Sequence, residues 1–176
     1  MKRLNPKSLS LFFCAMSIIL LSCEKNDHED GITSGSSKND SNYVDLGLSS
    51  GTLWKKNNES GMYSFDDAMI KWNNNIPTSA QWNELNLYCK WTWEGNGYKI
   101  TGYNGNSIFL PTAGGTLAGT TYGSSGSSSA TNNEGLYWSS SAIDASYASV
   151  FHITSYEHTS GFVNRPFKQC IRLIKK

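Results

Sequence analysis

Two thiols and two imidazoles in the second half of the chain have the most versatile chemistry. They belong to Cys89, Cys170, His152 and His158. Cysteine can form a disulfide or attack an electrophile, and histidine can bind a metal or move a proton. The cysteines leave two alternatives open. A Cys89–Cys170 bridge would close a loop of about 80 residues and stabilise the fold by ~4 kcal/mol, whereas two buried free thiols would pack as small apolar groups.

The histidines lack a metal-binding pattern. No third ligand follows His152 and His158 at a spacing typical of zinc. On a single strand their even spacing would place both on one face, as two surface histidines. The chain also lacks a Gly-x-Ser-x-Gly run and a phosphate-binding glycine loop that ends in Lys and Ser or Thr. We therefore predict no metal, no cofactor and no catalytic residue.

Residues 142–167 are rich in the side chains that adaptable binding surfaces favour, namely Tyr, Ser, His and Asn. If Ala148, Phe151 and Ile153 face the core, then their polar neighbours face outward. An ordinary polar strand and loop is the alternative. The predicted binding surface consists of Ser146, Tyr147, Ser149, His152, Thr154, Tyr156, His158 and Asn164.

The N-terminus has the parts of a bacterial export signal. Basic residues precede an apolar run from Leu9 to Leu21, and Ser22 comes before Cys23. The run is shorter than the about 20 residues that a membrane span needs. Leu20-Leu21-Ser22-Cys23 resembles the lipobox of bacterial lipoproteins, which predicts a signal peptide over residues 1–22 and lipidation of Cys23. An uncleaved anchor and an ordinary secretory signal are the alternatives.

The next segment, residues 23–42, reads as a polar tether that cannot bury enough apolar surface to fold. The acidic start from Glu24 to Asp30 resembles the tag of surface-exposed lipoproteins of the Bacteroidetes type, which favours the outer membrane; a plain linker is the alternative.

The formal net charge of the whole chain is +1. Loss of the signal would leave an acidic excess, so we expect no nucleic-acid partner.

Residues 43–176 form the predicted domain, which contains all six tryptophans. Ser64 and Thr78 each begin a helical pattern with an N-cap, and Thr78 with Gln81 predicts a capping box. Asn96-Gly97 and Asn104-Gly105 are typical of hairpin turns between strands. Residues 114–135 read as a long loop. Early helices followed by paired strands predict an α+β domain.

Several runs of this domain resemble blocks of one bacterial family, the Fibrobacter succinogenes major paralogous domain. They are Tyr43 to Trp54, Pro77 to Leu85, Gly105 to Pro111, Tyr137 to Ser141, and Asn164 through Ile174. The resemblance implies a C-type-lectin-like fold, with two helices packed on twisted antiparallel strands and long loops. The segment after Trp54 is shorter than is usual in the family, and Lys168 replaces a customary glycine.

The resemblance also bears on function. The Glu-Pro-Asn or Gln-Pro-Asp run of calcium-dependent sugar sites is absent, so we expect no such calcium site. Relatives of the domain serve as variable proteins of diversity-generating retroelements, which diversify the same C-terminal region. We therefore expect a lipid-anchored outer-membrane or cell-surface protein whose non-catalytic domain serves adhesion or recognition of a glycan or protein. A structural envelope protein and a cryptic enzyme are the alternatives.

Overall fold

The computed structural model describes residues 40–115 and 134–176. Two helices and three small antiparallel sheets lie within this part of the chain, which confirms the α+β prediction. The predicted signal peptide, Cys23 and most of the tether lie outside the described residues, as does most of the predicted loop over 114–135. In order, the elements are β1 (Tyr43–Asp45), β2 (Leu53–Lys55), α1 (Phe65–Trp72), a 3₁₀ turn (Asn73–Asn75), α2 (Ser79–Tyr88), β3 (Lys90–Trp93), β4 (Gly97–Thr101), β5 (Ser107–Pro111), β6 (Gly135–Ala142), β7 (Tyr147–Ile153), β8 (His158–Asn164) and β9 (Ile174–Lys175).

Both helices begin where their caps predict. The Ser64 side chain accepts a hydrogen bond from the Asp67 N–H at 3.2 Å. At α2, the Thr78 hydroxyl accepts from the Gln81 N–H while the Gln81 side chain accepts from the Thr78 N–H, which completes the predicted capping box. These bonds satisfy N–H groups that the first turn of a helix leaves without partners.

Each sheet has three strands, in the orders β1-β2-β9, β3-β4-β5 and β6-β7-β8. The first sheet joins the two ends of the domain, because Trp54 of β2 pairs with Ile174 of β9. The second is a meander in which the predicted pair Asn104-Gly105 lies in the β4–β5 turn, whereas Asn96 lies in the β3–β4 turn and Gly97 begins β4. In the third, β7 is the middle strand and pairs along its length with β8.

Buried side chains form two clusters, and β7 contributes to both. Phe151 and Ile153 belong to a cluster with Trp82 of α2 and Trp54 of β2. Ala148 and Val150 belong to a second cluster, which includes Phe65 of α1. Since alternate residues of a strand point to opposite faces, β7 is buried on both of its faces.

A guanidinium lies inside the fold. Arg172 has no exposed surface, and its terminal nitrogens donate to the main-chain carbonyls of Lys55 at 2.7 Å, Phe109 at 2.7 Å and Lys56. Burial lowers the pKa of Arg172 to about 10. The side chain thereby joins the end of β2 and the residue after it to β5, and these bonds satisfy donors of a guanidinium that is shut off from water.

Candidate functional site

The structure does not keep the predicted binding surface together on the outside. Ser149, His152 and Thr154 are only 5%, 4% and 6% exposed, so the prediction that they face outward is wrong. For Ser149 and His152 the reason is that β7 is a middle strand with a packed cluster on each face. The alternation of side chains along a strand predicts which residues share a face. It does not predict that other elements cover both faces of β7.

Ser149 instead holds the first turn of α2 on the sheet. The Ser79 hydroxyl donates to Ser149 Oγ at 2.9 Å and lies 3.1 Å from Ser139 Oγ. The Ser79 N–H donates to Ser141 Oγ at 3.1 Å. This network of four hydroxyls is a structural contact between α2 and strands β6 and β7.

His152 is also buried, on the face of β7 that carries the second cluster. Its Nε2 lies 3.9 Å from Glu134 Oε2. Burial lowers the pKa of His152, while the negative charges of Glu134 and Glu157 act in the opposite direction. The ring is therefore a neutral interior group at physiological pH.

His158 lies on β8, so the prediction of two surface histidines on one strand face is wrong. It pairs in register with Ile153 and faces the opposite cluster from His152. Its ring stacks on Trp91 with centroids 4.3 Å apart, and Nδ1 contacts Asn86 Oδ1. Burial lowers the pKa of His158. In residues 40–115 and 134–176, no group of three or more His, Cys, Asp or Glu side chains could hold a metal ion.

The remaining predicted residues lie at opposite ends of the β7–β8 hairpin. Tyr156 is 87% exposed in the connecting turn, where Thr154 Oγ accepts the N–H groups of Tyr156 and Glu157 at 3.3 and 3.1 Å. Tyr147 pairs with Asn164 at the other end. Beside it, Asp144 Oδ1 accepts the N–H groups of Ser146 and Tyr147 at 2.7 and 2.8 Å.

An exposed apolar patch surrounds Tyr147. The Tyr147 ring meets Phe162 of β8 edge to face, with centroids 5.7 Å apart. The N–H of Ile143 donates to the Tyr147 carbonyl at 3.0 Å. Tyr147, Phe162 and Ile143 are 36%, 48% and 58% exposed. We call these three residues the apolar patch. The sequence prediction missed Phe162 and Ile143. Phe162 could have been included, because it pairs in register with Ser149, a residue of the predicted surface.

A cleft of about 660 Å³ lies between the end of α1, the start of α2 and β9. Three asparagines and one glutamine are among its lining residues, and Asn73 adopts a positive φ of 30° there. None of its lining side chains is acidic. It can offer many donors to a hydroxylated or anionic molecule. The lining consists of Met69, Asn73, Asn74, Asn75, Ile76, Thr78, Gln81, Ser140, Ile174, Lys175 and Lys176.

A second, smaller cleft of about 390 Å³ is lined by Gly47, Leu48, Ser49, Tyr88 and Tyr103. It lies where the segment between β1 and β2 meets the end of α2 and the β4–β5 turn. Two tyrosine side chains line this cleft. They are distant in sequence, and no local pattern connects them.

The two thiols are free, so the structure contains no Cys89–Cys170 bridge; of the alternative, two buried free thiols, it has only Cys170 buried and Cys89 half-buried. Cys170 is buried, with Sγ 3.6 Å from the Gly114 carbonyl, and Cys89 caps α2 and packs against the first cluster. Burial raises the pKa of each thiol to about 11. Neither is a thiolate at neutral pH, so neither has the character of a reactive nucleophile.

Trp91 and Trp93, the aromatic pair of β3, pack partly buried against the first cluster.

No helix in the described part of the chain is both long and apolar enough to span a bilayer. The chain matches no family model, no curated protein and no solved structure.

Proposed function

We propose that this chain is a lipid-anchored protein of the bacterial outer membrane, whose domain over residues 43–176 binds an extracellular ligand without catalysis. Cys23 would carry the lipid, and the polar tether would hold the domain away from the membrane. A lipid chain contributes ~0.8 kcal/mol for each buried CH₂, and two or more chains make the anchoring stable.

We further propose that the domain has a C-type-lectin-like fold of the Fibrobacter succinogenes major paralogous type. The support is the order of the sequence blocks, together with two helices on small antiparallel sheets and the pairing of β1, β2 and β9 at the ends of the domain. Such a fold hosts many functions, so the binding role rests on the surface of this chain and not on the fold.

The apolar patch carries the proposal of ligand binding. An isolated exposed apolar side chain is ordinary, but aromatic and aliphatic groups gathered on one surface mark interaction sites. Tyr147 and Phe162 contact each other while both remain exposed. Backbone bonds to Asp144 hold the turn that precedes Tyr147, so the patch is presented with little loss of conformational entropy on binding. A protein surface is the partner that fits it best.

The anchor is tested with Cys23→Ala in the producing bacterium. We expect the variant to be released or to keep its signal uncleaved. Unchanged processing and membrane retention would refute lipidation.

The patch is tested with the full chain, purified in detergent, on an array of extracellular proteins. We expect the parent protein to bind at least one protein of the array, and we expect the Tyr147→Ser/Phe162→Ser double variant to lose that binding. Tyr156→Ser is the matched control, because Tyr156 is more exposed and lies at the opposite end of the hairpin. Absence of any protein ligand, together with stable self-association in light scattering, would favour a structural envelope role instead.

A further inference from the structure

We propose that the cleft between Tyr88 and Tyr103 is a binding site for a neutral saccharide, separate from the apolar patch. The cleft has a volume of about 390 Å³, within the range of about 300–1,000 Å³ that small-molecule sites occupy. Tyr88 and Tyr103 are 51% and 77% exposed, so both rings have surface to offer a ligand.

Gly47, Leu48 and Ser49 line the cleft, and the chain directly before them is bonded to the turn that carries Tyr103. Asn104 and Asn106 both donate side-chain hydrogen bonds to the Asp45 carbonyl, at 2.9 and 2.8 Å. Asp45 Oδ1 also accepts the Gly47 N–H at 2.7 Å, and Gly47 has a φ of +70° that favours glycine. These bonds join the β4–β5 turn, which carries Tyr103, to the end of β1, directly before the residues that line the cleft.

The residues that line the cleft are also bonded to α2, the helix that carries Tyr88. Glu84 Oε1 accepts hydrogen bonds from the Ser49 hydroxyl and the Ser50 N–H, each at 2.9 Å. Glu84 lies one helical turn before Tyr88, so the two side chains share a face of α2. Both tyrosine-bearing elements are therefore bonded to one short stretch of chain, residues 45–50. A site formed in advance loses less entropy when it binds a ligand.

The lining determines the class of ligand. It contains two phenol rings, the buried Leu48, one glycine and one serine, and no charged side chain. A pyranose ring has a face of C–H groups that packs on an aromatic ring, and hydroxyls at its edge that bond to polar atoms. Tyrosine offers both an apolar body and a polar tip. An uncharged lining favours a neutral sugar over a uronic acid or a sulfated one.

The test uses the full chain in detergent and a panel of neutral trisaccharides built from glucose, mannose, galactose, xylose or N-acetylglucosamine. Oligogalacturonates and a proline-rich peptide are the competing probes. We expect a neutral member to bind in calorimetry, and Tyr88→Ala and Tyr103→Ala each to weaken its Kd by about tenfold or more. Tyr88→Phe and Tyr103→Phe should keep most of the affinity, because they keep the ring.

Tyr156→Ala is the control, and circular dichroism should show that every variant is folded. The proposal is overturned if no neutral saccharide binds, if only the charged or peptide probe binds, or if the alanine variants bind as the parent does. Tyr147→Ser/Phe162→Ser should leave saccharide binding unchanged. Failure at this cleft and failure at the apolar patch are therefore distinguishable.

Discussion

Trp82 of α2 and Phe151 of β7 stack face to face, with ring centroids 4.9 Å apart and planes 5° from parallel. Trp82 also lies 4.9 Å from Trp54 of β2, and its Nε1–H donates to the Trp138 carbonyl at 3.3 Å. One side chain thus links α2 to two of the three sheets. It is fully buried, and large buried aromatics dominate the energetics of a core.

We expect Trp82→Ala to lower the free energy of unfolding by about 3–5 kcal/mol, the usual cost of removing a buried aromatic side chain. Chemical denaturation monitored by circular dichroism measures it. Leu87→Ala is the control on the same helix, because Leu87 is 73% exposed and should change stability by about 0.5 kcal/mol or less. Equal effects of the two substitutions would contradict the packing described for α2.

Arg172→Met should destabilise the domain by about 3–5 kcal/mol, because it removes the hydrogen bonds from a buried guanidinium to the carbonyls of Lys55 and Phe109. Arg165→Met is the matched control. Arg165 pairs with the largely exposed Asp66, donates to the Asp144 carbonyl at 3.2 Å and lies over the Phe65 ring. Losing these contacts should cost less, about 1–2 kcal/mol. A cost for Arg172→Met no greater than that of the control would show that its carbonyl contacts are dispensable. The measurement is again the free energy of unfolding.

Stability should fall as the pH drops below about 6.5, the ordinary histidine pKa. Burial lowers the pKa of His152 and of His158 in the folded state. The unfolded chain therefore binds more protons in this range, and the stabilisation that is present above the unfolded pKa is lost at lower pH. Each histidine contributes a slope of at most about 1.4 kcal/mol per pH unit.

Denaturation curves between pH 5 and 7.5 measure this dependence. His152→Gln should flatten it in part, and His152→Gln/His158→Gln should flatten it further. If the double variant keeps the full slope, other groups are responsible for the acid sensitivity.

The thiols should react slowly with a disulfide reagent at pH 7.5, because burial raises the pKa of Cys89 and Cys170 to about 11. Cys170 should react only when the protein unfolds, since it is 3% exposed. A reductant should leave the unfolding temperature unchanged. A fall in that temperature, with a mass increase that corresponds to two hydrogens, would reveal a bridge.

Local features of the fold could be read from the sequence. Ser64 and Thr78 cap the helices that they were predicted to begin, because a capping bond spans only three residues. Asn104-Gly105 lies in the turn between β4 and β5, because an Asn-Gly pair has the backbone freedom that a tight turn needs. These signals act over a few residues, so they can be recognised in the sequence without the tertiary structure.

The candidate sites depended on packing between distant elements. Ser149 and His152 read as outward-facing, but α2 and the second buried cluster cover the two faces of β7. In the sequence, Arg172 is one residue of the block from Asn164 through Ile174, and only the structure brings it to the carbonyl of Phe109. A strand pattern contains no information about which layer covers its second face.

The sequence by itself determined the helices, the hairpin turns and the α+β class, because hydrogen bonds between near neighbours and the alternation of side chains encode them. The tertiary structure decided which polar residues are buried, and it brought Tyr147 to Phe162 and formed a cleft lined by Tyr88 and Tyr103. Those relationships join elements that only the folded chain brings together, so no local pattern could predict them.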